Sequence, residues 1–397
     1  MMKQSKVVMM ILFLACWAWA SSHEATSRQE PSAGFGDPLP GLSAEQLALF
    51  LEGKRSFEQI HRIADGLGPL FNARSCAECH GVPVTGGSSF ISEIRVGVRE
   101  ADGTFRDVPG GSLIQIFSIT PDRCREFIPP EANVVAFRQV QPLFGLGLIE
   151  AIAEEAIVAQ ADPEDRDGDG ISGRAAWVLD LATNQVRLGR FGWKAQQASL
   201  LGFAADAYLN EMGITNDLFP HENAPNGNTE RLLECDSIPD PEDVLDSTTG
   251  RRGIDEFANF LQLLGPPPRG PITDAARRGE AIFVEIGCAR CHTPAFQTGD
   301  HPIAALSRKT VPLYSDLLLH DVGTGDGIAQ ADAGADELRT PPLWGLRVSR
   351  SYLHDGSAAT IEDAIRRHAA EARRVTERFL MLTPTERMQL LAFLESL

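Results

Sequence analysis

The pentapeptide Cys-x-x-Cys-His occurs twice, as Cys76-Ala-Glu-Cys79-His80 and as Cys288-Ala-Arg-Cys291-His292. Two thiols one helical turn apart can add across the two vinyl groups of one porphyrin, while the adjacent imidazole reaches the iron as the proximal ligand. With seven Cys and nine His in 397 residues, chance would supply roughly 0.003 such motifs. The sequence therefore predicts two covalently bound c-type haems, each ligated by the His of its motif.

Two other uses of Cys-x-x-Cys fit this chain less well. A zinc ribbon brings its half-sites close in sequence, whereas these motifs lie about 200 residues apart, each with its own His. A thioredoxin-like dithiol follows a strand of a βαβ unit, and no Val/Ile-rich run precedes either motif.

The N-terminus has the layout of a secretory signal peptide. Two lysines precede an apolar run at residues 7–19, and Ala18-Trp-Ala20 offers a cleavage site. We therefore expect residues 1–20 to be a signal peptide and the mature chain to be periplasmic, where covalent haem attachment takes place. Lipidation at Cys16 is a less favoured alternative, because Phe13 stands where a lipobox requires an aliphatic residue. No later apolar run is long enough for a membrane span.

The charge balance indicates which partners to expect. The formal charge of −18 falls to about −20 without the two leader lysines, which argues against nucleic acid and anionic lipid. An acidic surface suits a basic electron donor, here a small periplasmic cytochrome or cupredoxin, although it also serves solubility alone. Cys124 and Cys235 remain outside the motifs, and the sequence leaves open whether they pair in an oxidising compartment.

The organisation is bipartite. Helical periodicity over residues 43–57 leads to the first motif, and Thr273 begins a capped helix that leads to the second. A Pro-rich break at residues 265–271 separates the two segments. The sequence predicts a mainly α fold with two cytochrome c-like haem domains, residues 42–264 and 272–397. The first is enlarged by an insertion of roughly a hundred residues.

The second axial ligand decides whether a haem transfers electrons or reacts. Met381 and Met388 follow an amphipathic pattern near the C-terminus, so we expect them in the core. Thr360-Ile-Glu-Asp363 is a capping box that starts a helix, and His368 lies on the apolar face of that helix. Such a His is more often a hydrogen-bonded core residue. Because a haem must lie nearby and no Met is well placed, we predict ligation of the second haem by His292 and His368.

The first haem differs from the second. The segment between His80 and His221 contains no His, and Met212 is the one Met in that segment. We therefore expect an open or weakly held iron position at this haem, which peroxide chemistry requires.

Four stretches resemble one family. They are Gly66-Leu-Gly-Pro-Leu-Phe-Asn72, Arg190-Phe-Gly-Trp-Lys-Ala195, Arg339-Thr-Pro-Pro-Leu-Trp-Gly345 and Tyr352-Leu-His-Asp-Gly356. The resemblance is to the bacterial di-haem cytochrome c peroxidases and the methylamine dehydrogenase maturation enzyme, and more closely to the di-haem oxidoreductases. It covers nearly all of the mature chain and implies an oxidoreductase.

The resemblance also implies roles for individual residues. His368 falls where the peroxidases place a methionine ligand, and Trp193 resembles their tryptophan between the haems, or is an ordinary core indole. Glu211-Met-Gly resembles the segment whose glutamate is the acid/base beside the reactive iron. The peroxidases' partner glutamine has no equivalent, since Phe203 stands near its place, and their distal His is absent.

These assignments give a mechanism as a hypothesis. Peroxide binds at the His80 haem, Glu211 moves a proton between its oxygens, and electrons arrive from the other haem through or near Trp193. Two other functions stay open: an oxidase of a protein or small substrate, and a di-haem electron carrier. Occupation of the first iron by Lys194, Tyr208 or Met212 would favour the carrier.

A calcium site is a further expectation. Asp165-Arg-Asp167-Gly-Asp169-Gly-Ile-Ser172 has acids at alternate positions, but Ala176 replaces the bidentate Glu of an EF-hand. A polar Asp/Gly turn is an equally favoured alternative. Separately, the family resemblance implies calcium held by backbone carbonyls, here of Ser349 and Ser351.

Five other histidines lie outside the predicted ligand sets. His320 and His354 lie in family-like motifs and are expected to orient the second haem or its surroundings, and His61, His221 and His301 are expected on the surface.

Overall fold

The computed structural model describes residues 34–397. The predicted signal peptide and Cys16 lie outside the described residues. Within them, no helix combines the length and the apolar character needed to cross a bilayer.

Helices and short strands alternate along the chain. The helices are α1 Ala44–Glu58, α2 Cys76–Cys79, α3 Pro121–Cys124, α4 Leu146–Glu150, α5 Glu154–Val158, α6 Leu200–Met212, α7 Thr229–Cys235, α8 Gly253–Leu263, α9 Asp274–Ile286, α10 Ile361–Arg367, α11 Arg373–Met381 and α12 Pro384–Leu394. The strands are β1 Leu70–Phe71, β2 Ser92–Arg99, β3 Phe105–Arg106, β4 Leu113–Ile114, β5 Phe117–Ser118, β6 Val134–Gln139, β7 Ala176–Asp180, β8 Gln185–Gly189, β9 Phe296–Gln297, β10 Thr310–Val311, β11 Leu319–His320 and β12 Leu338–Arg339.

Helix exceeds strand, at 33% against 15%. The predicted mainly α fold is therefore supported only in part, because helix outweighs strand but makes up about a third of the chain. Strand β2 pairs antiparallel with β3, β4 and β6, and β7 and β8 form a separate hairpin. These strands lie between the two motifs, in the enlarged part of the chain.

Side-chain caps start the helices where the sequence predicted. Ser43 forms a capping box with Gln46, so α1 begins at Ala44. Thr273 accepts a hydrogen bond from the Ala276 N–H and Thr360 accepts one from the Asp363 N–H, which start α9 and α10.

Two helix pairs form the core beside the motifs. Helix α1 crosses α8 at Gly53, where a Cβ would lie 2.2 Å from the Glu256 carbonyl oxygen. Helix α9 crosses α12 at Gly279, where a Cβ would lie 1.9 Å from the Gln389 carbonyl oxygen. Only glycine, which has no Cβ, permits these close approaches. Each motif is therefore preceded by a helix that crosses its partner at a glycine.

The C-terminal methionines do not lie in the core as predicted. Met381 is 83% exposed and Met388 is 62% exposed. The expected single amphipathic helix is divided, because α11 ends at Met381 and α12 starts at Pro384 after the Thr383 cap. The buried side chains of α12 are Leu390, Phe393 and Leu394.

The structure settles two other points. Cys124 on α3 and Cys235 on α7 form a disulfide with a Cα–Cα distance of 5.9 Å, which answers the question the sequence left open. The expected surface position of His61 is wrong. Its side chain is buried and packs edge-on against Tyr208, with ring centroids 5.7 Å apart.

Candidate functional site

Both Cys-x-x-Cys-His motifs open into one cavity of about 480 Å³. The sequence-predicted residues in its wall are Cys76, Cys79, His80, Trp193, Glu211, Cys288, Cys291, His292, Ser349, Ser351 and His368. Residues separated by almost 300 positions in the chain therefore share one site.

The first motif holds its His in a defined orientation. The Ser75 hydroxyl accepts a hydrogen bond from the Glu78 N–H and caps the short helix α2. The His80 Nδ1 donates to the Gly87 carbonyl oxygen at 3.1 Å. A carbonyl can only accept, so Nδ1 carries the proton and Nε2 keeps the lone pair that binds a metal. The Phe57 ring of α1 lies 6.0 Å from the His80 ring, centroid to centroid.

The second motif repeats this arrangement. The His292 Nδ1 donates to the Tyr314 carbonyl oxygen at 3.0 Å, which again leaves Nε2 free to bind iron. The Phe283 ring of α9 lies 6.3 Å from the His292 ring. Burial lowers the pKa of His80 and of His292 to about 4 each. Both imidazoles are therefore neutral at pH 7, the form that binds a metal.

His368 lies in the same cavity as His292. It follows the last residue of α10, Arg367, as the C-cap, rather than standing on the helix as predicted. Its Nδ1 donates to the Ala364 carbonyl oxygen at 2.8 Å, so its Nε2 also keeps the lone pair. Burial lowers the pKa of His368.

The residues fit two covalently attached haems. Within the described residues the four motif thiols are free, although the other two cysteines form a disulfide. Burial raises the pKa of Cys76, Cys79 and Cys288 to about 12 each. Each motif presents two thiols and one imidazole lone pair to the shared cavity, which is the donor set of a c-type haem.

Glu211 stands at the end of α6, beside the first motif. Its Oε2 accepts a hydrogen bond from the Asn72 Nδ2 at 2.9 Å. Burial, followed by the nearby Glu93 carboxylate, raises the pKa of Glu211 to about 7. Burial also raises the pKa of Asp206 on the same helix to about 6. A carboxyl group with a pKa near neutrality can both accept and return a proton.

Trp193 lies in the cavity wall that both motifs share. Its Nε1 donates to the Gln139 carbonyl oxygen at 2.8 Å, and its ring meets His354 edge-on, with centroids 6.2 Å apart. Phe203 also lines the cavity and stacks on Phe191.

The structure weighs against Lys194 as an iron ligand. Its ammonium group is fully buried, lies 3.1 Å from the Asp326 Oδ1, and donates to the carbonyl oxygens of Gly334, Ala335 and Glu337. Lys194 is not among the residues that line the cavity.

The other two candidates for that iron are packed in the core. Tyr208 meets Phe257 edge-on at 5.0 Å, and Met212 is buried in the same apolar cluster. Both side chains also contribute to the cavity wall.

The loop at residues 165–172 brings three carboxylates within 4.8 Å of one another, those of Asp165, Asp167 and Asp169. Arg290 pairs with Asp167 and Asp169, and Asp165 and Asp169 accept hydrogen bonds from backbone N–H groups of the same loop. Such contacts are expected if the loop is a polar Asp/Gly turn, the alternative to a calcium loop. Ser351 hydrogen-bonds the Gln139 side chain, at 2.9 and 3.1 Å, and calcium at either place stays a prediction.

Sequence reasoning missed the partners of His320. The His320 Nε2 lies 2.8 Å from Asp316 and its Nδ1 lies 2.8 Å from Glu371. Burial lowers the pKa of His320, but hydrogen bonds with Asp316, Cys291 and Glu371 outweigh burial and raise it well above its usual value. Asp316 is four residues from His320, so spacing hinted at that contact, whereas Glu371 is 51 residues away.

Asn72 and Glu93 were also missed as neighbours of Glu211. Asn72 ends one of the family-like stretches, which was the available signal, but nothing in the sequence connected it with position 211. Glu93 lies on β2, in the part of the chain for which the sequence offered no motif.

Comparisons with known proteins identify a matching family and a curated relative. A family model described as "Di-haem oxidoreductase, putative peroxidase" matches residues 130–397. Hydrazine synthase subunit gamma of Kuenenia stuttgartiensis is 30% identical over 145 residues, a match covering 28% of this chain and 38% of that subunit. The match thus spans well under two thirds of this curated relative.

Solved structures are more distant. A Kuenenia stuttgartiensis hydrazine synthase structure is 17% identical, with a TM-score of 0.40 and full coverage of both chains. The diheme peroxidase BthA of Burkholderia thailandensis is 14% identical, with a TM-score of 0.39, covering 90% of this chain and 86% of that one. A MauG-like protein associated with microbial copper homeostasis is 17% identical, with a TM-score of 0.32, covering 64% and 89%.

Proposed function

Since the chain belongs to the di-haem oxidoreductase family, which implies an oxidoreductase with two haems, we propose that it reduces hydrogen peroxide at the His80 haem. Both haems are covalently attached in this proposal, and electrons come from the haem held by His292 and His368. The observation that carries the proposal is the asymmetry of the cavity. A carboxyl group with a pKa near 7 stands beside the first motif, whereas a second imidazole stands beside the other.

The proton requirement of the reaction explains the choice of Glu211. Reducing hydrogen peroxide to two water molecules consumes two electrons and two protons. When bound, the haem supplies an iron position for peroxide and the electrons that break the O–O bond. Glu211 would accept the proton of one peroxide oxygen and return it to the other, which becomes the leaving water. Its pKa near neutrality suits both transfers, because neither protonation state is strongly disfavoured.

Trp193 has a supporting place in the proposal. Its indole lies in the wall common to both motifs and is held by Gln139 through a 2.8 Å hydrogen bond. We assign it to the electron path between the two haem sites.

The compartment and the electron donor also belong to the proposal. The Cys124–Cys235 disulfide supports an oxidising compartment, in line with a periplasmic protein. The net charge of −18 supports a small basic donor, a cytochrome or a cupredoxin.

The decisive measurement is the optical and EPR spectrum of the purified holoprotein before and after addition of hydrogen peroxide. We expect one low-spin haem with two His ligands and one haem with an open or weakly held position that responds to peroxide. Two low-spin haems without any spectral response would contradict the proposal and indicate an electron carrier.

Substitution Glu211→Gln tests the proton role. The variant should retain two haems, while the rate of its reaction with peroxide, measured by stopped flow, falls by about 10²- to 10⁴-fold, the usual contribution of a general acid–base. Glu230→Gln, at an exposed position on α7, is the matched control and should react at the wild-type rate. Equal rates for both variants would remove Glu211 from the reaction.

A further inference from the structure

The side-chain amide of Asn72 makes two hydrogen bonds of opposite polarity. Its Nδ2 donates to the Glu211 Oε2 at 2.9 Å, and its Oδ1 accepts from the Ile116 N–H at 3.0 Å. A backbone N–H can only donate, so the contact with Ile116 fixes which end of the amide is oxygen. The NH₂ group must therefore point towards Glu211.

The backbones of the two residues are joined as well. The Glu211 carbonyl oxygen accepts hydrogen bonds from the N–H groups of Asn72, at 2.8 Å, and Ala73, at 3.1 Å. Four residues before Asn72, the Gly68 N–H donates to the carbonyl oxygen of Met212, the residue after Glu211, at 3.0 Å. The end of α6 is thus docked on the segment that runs into the first motif, which leaves the Glu211 side chain little freedom to move away from Asn72.

We propose that Asn72 is the positioning residue of Glu211. It aims the carboxyl group into the cavity near the thiols of Cys76 and Cys79 and favours the ionised form by donating a hydrogen bond to it. The inference rests on the proposed function, because it gives Glu211 its orientation for proton transfer.

The charges around Glu211 show why one neutral donor matters. Glu93 and Asp206 disfavour ionisation, Arg95 favours it, and the thiols of Cys76 and Cys79 lie close enough to interact with the carboxylate. Arg95 is already committed to Glu93, with two contacts of 3.1 Å. Among residues 34–397, the Asn72 NH₂ is the group that donates a hydrogen bond to the Glu211 carboxylate, so its loss should not be replaced by another described donor.

Asparagine is also the residue type that this position requires. Asp has the same shape and would keep the contact with the Ile116 N–H, but it offers no donor to Glu211. Gln has the donor but is one methylene longer, so it would displace one of the two contacts. Since Asn72 lies four residues before Cys76, one short segment both attaches the first haem and orients the proton-transferring group.

The test is an infrared pH titration of the holoprotein, which follows the protonated-carboxyl band that disappears in Glu211→Gln. In Asn72→Ala the midpoint of this band should rise by about one pH unit, because a hydrogen bond to the charged form has been lost. In Asn72→Asp it should rise further, because a second carboxylate then faces Glu211. An unchanged midpoint in Asn72→Ala would overturn the proposal.

Asn133→Ala provides a matched control. The Asn133 amide also bridges in two directions, because its Oδ1 accepts from the Arg99 N–H and its Nδ2 donates to the Arg99 carbonyl oxygen. This substitution should leave the Glu211 midpoint where it is. Haem content and thermal midpoint are recorded for each variant, and Asn72→Ser replaces Asn72→Ala if the latter does not fold.

The infrared titration separates this inference from the proposed function. If the midpoint moves in Asn72→Ala while Glu211→Gln reacts with peroxide at the wild-type rate, Asn72 positions Glu211 but Glu211 is not the acid/base. If Glu211→Gln is slow and the midpoint does not move, the proposed function stands and the role of Asn72 is wrong.

Discussion

The two motif regions share a scaffold and differ in what surrounds it. In each, a helix crosses a partner at a glycine, and a phenylalanine four residues later faces the His of the motif. The phenylalanine also meets a partner-helix ring, with centroids 4.9 Å apart for Phe57 and Phe260 and 5.2 Å apart for Phe283 and Phe393. The Nδ1 of each motif His donates to a backbone carbonyl.

The surroundings of the two histidines then diverge. Beside the first motif stands Glu211, in a group that includes Glu93 and Asp206. Beside the second stands His368, and His320 is held between two carboxylates. In the proposed function, the shared scaffold attaches a haem at each motif, and the surrounding segments decide whether the neighbouring group ligates iron or transfers a proton.

The largest effect is expected when the thiols of one motif at a time are removed. Cys76→Ala/Cys79→Ala and Cys288→Ala/Cys291→Ala should each reduce the covalently bound haem from two to one, as measured by the pyridine haemochrome assay. Only the first double variant should lose its spectral response to peroxide, because the proposed reactive position belongs to the first motif. A response that survives in that variant and disappears in the other would reverse the assignment.

The pH dependence should also distinguish the two regions. Because the pKa of Glu211 is raised to about 7, the carboxylate proposed to accept the first proton is present above that pH and is lost below it. The peroxide rate should therefore rise through neutrality and fall by about tenfold for each unit of pH below the midpoint. Stopped-flow rates between pH 5 and 9 test this, and Glu211→Gln should show no such step. A flat wild-type profile would contradict the prediction.

A smaller effect is expected from His368→Met. A methionine ligand raises the reduction potential of a haem relative to histidine. The potential of the second haem should rise by on the order of 100 mV, a fraction of the ~0.8 V range that axial ligands span. Spectroelectrochemical titration measures this, and the potential of the first haem serves as the internal reference. Unchanged potentials for both haems would show that His368 is not a ligand.

The sequence predicted those features that local patterns determine. The helix expected from periodicity over residues 43–57 and the caps at Thr273 and Thr360 are confirmed, because these patterns depend on residues three or four positions apart. His368 was placed one position too far inside its helix, since α10 ends at Arg367. Met381 and Met388 were misplaced because a break at Thr383 changes which face of the chain is buried.

Contacts between distant parts of the chain were beyond such patterns. The meeting of Asn72 with Glu211 spans 139 positions, and that of His320 with Glu371 spans 51. The disulfide depends on how α3 and α7 pack, and the spacing of Cys124 and Cys235 could not show this. The haem ligands were predicted from the two motifs and from the helix pattern before His368, whereas the roles of Trp193 and Glu211 came only from a family resemblance. The structure brings them to one cavity, and their roles stay predictions.

The smallest expected effects test whether the shared scaffold is equally important on both sides. Gly53→Ala and Gly279→Ala each introduce a Cβ within 2.2 Å of a backbone carbonyl oxygen, so the helix pair must separate at a cost of about 1–3 kcal/mol of unfolding free energy. Gly299→Ala, whose Cβ would lie 3.9 Å from its nearest neighbour, is the control, and thermal unfolding measures all three. Because Phe57 and Phe283 lie one turn beyond these glycines, each variant should disturb the spectrum of its own haem and leave the other haem unchanged. Gly53→Ala could prove as stable as Gly299→Ala while Gly279→Ala is destabilised. In that case only the α9–α12 crossing, and not the α1–α8 crossing, would contribute to stability through its glycine.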